Sequence, residues 1–409
     1  MVVPHADLDN GIVSMSSFHP TDLEREQDPY PLLARLRAES PVLKLDSGFW
    51  AVTGYDAAME ALRHPGCRSG PIALRYLEGL PEGAARDEMG HRINFLDPPD
   101  HTRVRGLVSK AFTPRRITAL KPWIEATAER LLDDLDGCVE LDLLSRFAHQ
   151  LPSLVISELL GVPPEDRDRL TAFSDAVAPL LGVSVPDDVK TRAIAAAEEF
   201  HAYLGALLDD RRKRPGDDLL SALLDAEEAG EHLHRVELLS LTATLYSAGH
   251  RTTRDLFTNG VSVLLARPER YRNVVDGRWN VPDVIEEFLR FETPTLFVAR
   301  VPLEPVTIAG TTVGPFEPLL VFLSAANRDP AVFDEPDTFQ PGRSEQPSLS
   351  FAYGAHYCLG ASLARSEAEV MVAAITRRWP RLSLADDATL CWHQRGPFRG
   401  LDELRVRPR

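Results

Sequence analysis

The sequence predicts a mainly α-helical protein with small β-sheets, folded as one domain, and three observations predict it. From residue 117 to about 266, apolar side chains recur at helical spacing. After Pro294, short runs of β-branched and aromatic residues alternate with Gly and Pro. No internal repeat, low-complexity tract or Gly/Ser/Pro-rich linker divides the 409 residues, which suffice to bury a large core.

Taken in order, residues 31–39 read as a short helix. Residues 42–45 and 49–53 flank Asp46-Ser47-Gly48, a hairpin signal. Helical periodicity then breaks at Pro163-Pro164, at 182–186 and at Pro215-Gly216. Residues 236–267 contain no proline until Pro268 stops the pattern, so a helix of roughly 45 Å is expected at ~1.5 Å per residue. Val301, Val306, Ile308 and 319–322 carry the strand texture. The expected organisation is one domain over 1–409, with sheet-rich portions near 41–54, 298–323 and 380–409 and a helical core at about 117–290 and 359–378.

Lys and Arg number 45 against 61 Asp and Glu, a formal charge of -16, which argues against broad binding to nucleic acid or anionic membrane. Residues 1–7 show no cationic segment leading into an apolar run, so neither a signal peptide nor a membrane anchor is expected, and the expected location is cytoplasmic. Cys67, Cys138, Cys358 and Cys391 are widely spaced without a CxxC pair, which disfavours a disulfide framework or a structural zinc site. The question is which single cysteine has a specialised setting.

Cys358 lies in Phe351-Ala352-Tyr353-Gly354-Ala355-His356-Tyr357-Cys358-Leu359-Gly360, just before a helical pattern at Leu359, Leu363, Val370 and Ala374. A sulfur at a helix N-terminus meets unpaired amides and the positive end of the dipole, which favour a thiolate. Gly354 and Gly360 are expected to let backbone approach a flat cofactor. The pattern Phe-x-x-Gly-x-His-x-Cys-x-Gly resembles the haem-binding loop of the cytochrome P450 family, and the likeness runs from Asp28-Pro29-Tyr30 to the final 398–406 segment. The resemblance implies a helical prism enclosing haem b, with Cys358 as the metal ligand and Gly360 beside the cofactor. A thiolate there would push electron density onto iron and favour O–O cleavage.

The same resemblance gives roles to residues that are weak signals alone. Glu287 and Arg290 stand three apart on one helix face, and with Arg343 they look like the family's Glu-Arg-Arg structural triad. His101 and Arg105, four apart, together with Arg300 and His356, match the set that holds haem propionates. Between 101 and 116, Arg103, Arg105, Lys110, Arg115 and Arg116 form a basic island without acids, suited to docking an acidic ferredoxin.

Ala248-Gly249-His250-Arg251-Thr252-Thr253 sits inside the long helix. A glycine there costs about 1 kcal/mol relative to alanine, which suggests local loosening or close approach of a ligand such as dioxygen at Gly249. The stretch resembles the family's Ala-Gly-x-(Asp/Glu)-Thr-Thr motif, with Thr252 supporting proton delivery. Arg251 replaces the acid and stays protonated, so it cannot shuttle protons as a carboxylate does. Three accounts stand open: Arg251 turns into an ion pair; it holds a substrate carboxylate in a peroxide-using enzyme, although such relatives lack the threonine; or it holds a carboxylate-bearing or carrier-tethered substrate within ordinary dioxygen chemistry.

By family position, Ile72, Phe95, Thr244, Ser247 and Ala248 face substrate, as do Leu296, Phe297 and Phe398. The resulting expectation is a monomeric monooxygenase that hydroxylates or epoxidises a hydrophobic small molecule in bacterial secondary metabolism. Its electrons would come from separate ferredoxin and ferredoxin reductase, since no flavin or nicotinamide fingerprint is present. The alternatives are the peroxide-using or carboxylate-specific oxidase and, from a different class, a haem sensor or electron carrier.

Overall fold

Apolar side chains at every third or fourth position bury one stripe of each helical segment in the computed structural model, which describes residues 14–182, 185–226, 232–344 and 346–408. The first helices are α1 (Tyr30–Glu39), α2 (Tyr55–Arg63), α3 (Gly70–Leu77), α4 (Ala84–His91), α5 (Asp100–Ala111) and α6 (Pro114–Asp133). A π-helical turn, Leu144–Ala148, leads into α7 (Gln150–Leu159), followed by α8 (Arg167–Val177), α9 (Asp187–Lys213) and α10 (Leu219–Asp225). Then come α11 (Arg235–Leu265), α12 (Pro268–Val275), α13 (Val281–Phe291), the single turn α14 (Leu323–Ala326) and α15 (Ala361–Arg378).

At 31 residues α11 spans about 45 Å and is the spine of the main core. Its entry is fixed by the His234 backbone N–H, which donates to Glu237 at 2.8 Å, and its end falls just before Pro268. Helices α4, α7, α9, α13 and α15 pack around it. The closest of these contacts is at Gly260, where an added Cβ would lie 2.0 Å from the Phe288 ring of α13. Only glycine lets the two helices meet here.

The strands are β1 (Val42–Lys44), β2 (Trp50–Val52), β3 (Cys67–Arg68), β4 (Leu141–Asp142), β5 (Val298–Pro302) and β6 (Val306–Ile308). They continue with β7 (Thr311–Val313), β8 (Leu319–Val321), β9 (Ser383–Leu384), β10 (Trp392–Arg395), β11 (Phe398–Leu401) and β12 (Arg405–Arg407). One sheet has the order β1-β2-β8-β5-β3: the expected hairpin pairs Val42 with Val52, β2 runs parallel to β8, and β8 pairs antiparallel with β5. That sheet buries Arg300, the central residue of β5. β10 and β11 form a hairpin, as do β6 and β7.

β4 falls inside the stretch expected to be helical. It pairs with β12, and Asp142 accepts from the backbone N–H groups of Leu144 and Leu404, so a partner more than 260 residues away overrides local spacing. Among the described residues, no helix is long and apolar enough to cross a membrane.

Gly260→Ala is expected to destabilise the fold by about 1–3 kcal/mol through overpacking against Phe288, seen as a lower Tm. An unchanged Tm would show that Phe288 yields without cost.

Candidate functional site

The chain reaches Cys358 through a loop that is tied down upstream. The Leu349 N–H donates to the Asn327 side-chain oxygen at 2.6 Å, and Asn327 donates to Ser350 Oγ at 2.8 Å. Within the loop the Cys358 N–H donates to the Phe351 carbonyl at 3.0 Å. Gly354 has φ +77, and a Cβ there would lie 2.7 Å from the Leu62 carbonyl. The close approach expected of Gly354 is therefore to α2, and the left-handed backbone alone already demands glycine. At Gly360 a Cβ would meet no protein atom within 4 Å, and its N–H hydrogen-bonds the Cys358 sulfur.

Cys358 has accessible surface on one side and dense protein on the others. Burial pushes its thiol above the ordinary value, and the Gly360 N–H, Arg105 and Arg365 offset this only in part.

Helix α13 presents Glu287 and Arg290 inward as a bidentate pair with both oxygen–nitrogen distances at 2.7 Å. Arg343 adds a second guanidinium at 3.4 Å from Glu287, and the Gln340 N–H donates to the same carboxylate at 2.7 Å. Arg290 also donates to the carbonyls of Asn327, Pro336 and Thr338. The three residues thus meet as expected, and their network reaches Asn327, the residue that anchors the Cys358 loop.

On the other side of that loop four nitrogen-bearing side chains gather. His101 of α5 packs on the His356 ring at 4.1 Å between centroids, and Arg105 donates to the Tyr357 carbonyl at 2.9 Å. Arg300 is 5% exposed and donates to the Ala299 carbonyl at 2.7 Å. Burial and the neighbouring cations Arg300, His101 and Arg105 press His356 down to about 3, and burial lowers Arg300 to about 10. Among the described residues neither Arg105 nor Arg300 has a carboxylate within ion-pair distance. The nearby Asp97 spends both oxygens on the Ser69 and Gly70 N–H groups. A buried donor set with cationic guanidinium groups and no acid is suited to an anion. With a sulfur ligand alongside and an open glycine at Gly360, the residues fit a haem carrying carboxylate propionates.

The motif of α11 is continuous helix. Thr252 donates its hydroxyl to the Ala248 carbonyl at 2.8 Å, and Thr253 to that of Gly249 at 3.1 Å. A Cβ at Gly249 would come within 3.1 Å of Ile156 on α7. The helix runs unbroken there, and a core side chain, Ile156, packs against the glycine.

Arg251 sits 3.6 Å from Asp175 of α8. The same carboxylate lies 3.3 Å from His250 and 3.8 Å from His149. Burial raises the Asp175 carboxyl, but the His250 hydrogen bond and the charges of His250 and Arg251 outweigh it and hold it below its ordinary value.

Arg251, Thr252, Ser247, Ala248 and Phe398 line a cavity of about 400 Å³ whose remaining walls include Val177, Pro179 and Leu181. Cys358 and the four-residue cluster lie outside this lining. The other expected pocket residues also lie outside it. Leu296 is fully buried, and Phe297 packs on Phe322 at 5.4 Å, because the segment just before β5 turns both into the small sheet core. Phe95 is stacked on Tyr76 at 5.1 Å, Thr244 is buried in α11, and Ile72 is half-buried on α3.

The basic island is smaller than the sequence suggests. Arg103 pairs with Glu237, Arg116 lies 3.7 Å from Asp217, and Arg105 turns inward, while Arg115 is exposed. Sequence reasoning also missed Asp175 and the buried Glu88–Arg92 pair at 2.6 Å, both of which line the cavity. No motif marks these residues.

The cytochrome P450 family model matches residues 281–385. The biotin biosynthesis cytochrome P450 of Bacillus subtilis is 35% identical over 390 residues, 93% of this chain and 96% of that protein. The cytochrome P450 monooxygenase PikC of Streptomyces venezuelae is 37% identical over 391 residues, covering 93% and 91%. Among solved structures, CalO2 superposes with a TM-score of 0.89 at 32% identity over 96% of this chain and 99% of that one. P450BioI, solved in complex with a hexadec-9Z-enoic acid-ligated acyl carrier protein, gives 0.85 at 34% over 95% and 100%.

Gly249→Ala is expected to lower stability in the parent but to raise it, or leave it unchanged, in an Ile156→Val background. The coupling should be on the order of 0.5–3 kcal/mol by thermal or denaturant unfolding. Strict additivity would show that Ile156 does not explain the glycine.

Proposed function

The chain belongs to the cytochrome P450 family of haem-iron monooxygenases, and from that premise we propose that it hydroxylates or epoxidises a hydrophobic organic molecule with dioxygen. In this reading Cys358 ligates haem b, and a separate ferredoxin with its reductase supplies electrons. The observation that carries the reading is the convergence of His101, Arg105, Arg300 and His356, without a carboxylate partner, on the loop that bears Cys358.

Haem, when bound, supplies the site of dioxygen activation, with the thiolate donating electron density. The chain's own residues do the rest. Arg300 and Arg105 neutralise the propionates, and the two imidazoles orient them through N–H donors. Glu287, Arg290 and Arg343 hold the segment that leads to the cysteine. Val177, Pro179, Leu181 and Phe398 exclude water and orient an apolar substrate beside Ala248 and Thr252, whose hydroxyl can pass on a proton. Arg115 offers an exposed positive charge for an acidic electron donor.

A second reading has Arg251 receiving the carboxylate of an anionic or carrier-tethered substrate. In its favour, both Arg251 and Arg395 line the cavity, and the similar P450BioI was solved with an acyl carrier protein. Against it, Asp175 already sits 3.6 Å from Arg251. Titration with dodecanoic acid and dodecan-1-ol, followed by iron spin state, separates the two. Affinities within about threefold support the leading reading, and an acid preference above about tenfold, roughly 1.4 kcal/mol, supports the second.

Purified reduced protein is expected to show a thiolate-type carbon monoxide spectrum that Cys358→Ser abolishes. Retention of that spectrum in Cys358→Ser would overturn the assignment of the ligand.

A further inference from the structure

Insertion of one oxygen atom from dioxygen consumes protons as well as electrons: R–H + O2 + 2 e− + 2 H+ gives R–OH + H2O. Those protons must reach a cavity with largely apolar walls. Arg251 cannot release one under ordinary conditions. Thr252 can hand on its hydroxyl proton only if another replaces it.

Asp175 is placed to meet this need. It is the one described residue that lines both the inner cavity, with Arg251 and Thr252, and an outer depression of about 280 Å³ formed with His149, Gln150, Ser153 and Thr171. His250, wholly buried, places Nδ1 2.9 Å from the Tyr246 carbonyl, so that nitrogen carries a hydrogen. Its Nε2 then faces Asp175 Oδ1 at 3.3 Å. Two acceptors do not face each other at hydrogen-bond distance without a proton between them, so the pair holds a second one. The other carboxylate oxygen, Oδ2, looks toward His149 Nε2 at 3.8 Å, on the side of the outer depression.

We propose that Asp175 and His250 form the proton relay of this enzyme, filled from the outer depression by way of His149 and emptied toward Thr252, a task that Arg251 cannot perform. The inference rests on the monooxygenase reading above. In each step one proton leaves the His250 Nε2–Asp175 Oδ1 pair and crosses the cavity through water to Thr252, whose hydroxyl releases its own proton inward. Solvent then restores the proton through His149. No electron moves along this path; the electrons arrive from ferredoxin. The charged and titratable groups around the pair are His149 before α7 and Tyr246 and Arg251 on α11; Arg254 and Asp255 on α11 and Arg395 on β10 stand about Arg251 in turn, with His393 on β10 beside them. Arg251 acts as a positioning residue that keeps the carboxylate ionised and pointed inward.

The test compares Asp175→Asn, Asp175→Glu, His149→Gln and the double variant Asp175→Asn with Arg251→Glu, each as haem-loaded protein. One readout is independent of turnover: the ring nitrogen resonances of His250 in the reduced carbon monoxide complex, assigned by difference against His250→Gln. Loss of the second ring proton in Asp175→Asn is expected. The other is NADPH-driven dioxygen consumption with excess surrogate ferredoxin and reductase and dodecanoic acid as the probe. Asp175→Asn should slow it about tenfold or more, while Asp175→Glu stays within about threefold of the parent. The double variant, with an acid restored on α11, should recover. If Asp175→Asn does not load haem, His149→Gln carries the test from the outer side with a slowing of about threefold. Parent-like rates in the loaded variants, or an unchanged His250 ring in Asp175→Asn, would overturn the relay. Failure of the monooxygenase reading looks different, because the parent itself would then lack the thiolate-type spectrum and consume no dioxygen.

Discussion

An arginine buried as deeply as Arg300, with no carboxylate to receive it, is stable only if an anion comes to it, and this constraint organises the site. Removing such a charge from water costs several kcal/mol when nothing compensates. The β5 strand cannot relieve the cost by turning the side chain out, because β8 on one edge and β3 on the other fix its register. Burial and the adjacent guanidinium groups hold both His101 and His356 below the ordinary imidazole range, His356 down to about 3. The cluster is therefore complementary to a group that brings its own negative charge, which the carboxylates of a haem do.

The cysteine answers the opposite problem. Packed protein makes a free thiolate unfavourable at Cys358, so the sulfur, like Arg300, is completed by what binds. What the fold supplies is position. Glu287 gathers Arg290, Arg343 and the Gln340 N–H, while Arg290 spreads the restraint to three carbonyls. Each charge in that buried group depends on the others. Loss of one partner typically costs 3–5 kcal/mol, far more than the intact pair contributes over an apolar replacement. Rigidity, not net stability, is the physical reason to keep it beneath a ligand loop.

Much of this was legible because the chemistry is local. Cys358, its flanking glycines and the helix that follows fall within a few positions of one another, and the long helix declares itself by spacing that runs unbroken to Pro268. Three kinds of information were not local. The spacing around Gly249 gives no sign of Ile156, more than 90 positions earlier, which packs against it. The basic island looked free because Glu237, which takes up Arg103, lies far along the chain. Leu296 and Phe297 have the same apolar character whether they face a substrate or a core, and only the register of β5 decides. Asp175 was invisible for the same cause: an unremarkable acid in α8 acquires meaning only when α11 lays His250 and Arg251 against it.

The account as a whole stands on the claim that iron in this protein is bonded to the sulfur of Cys358. X-ray absorption at the iron edge of the purified protein measures that bond directly. The account requires one sulfur scatterer bonded to the iron; a coordination shell of nitrogen and oxygen alone would contradict it.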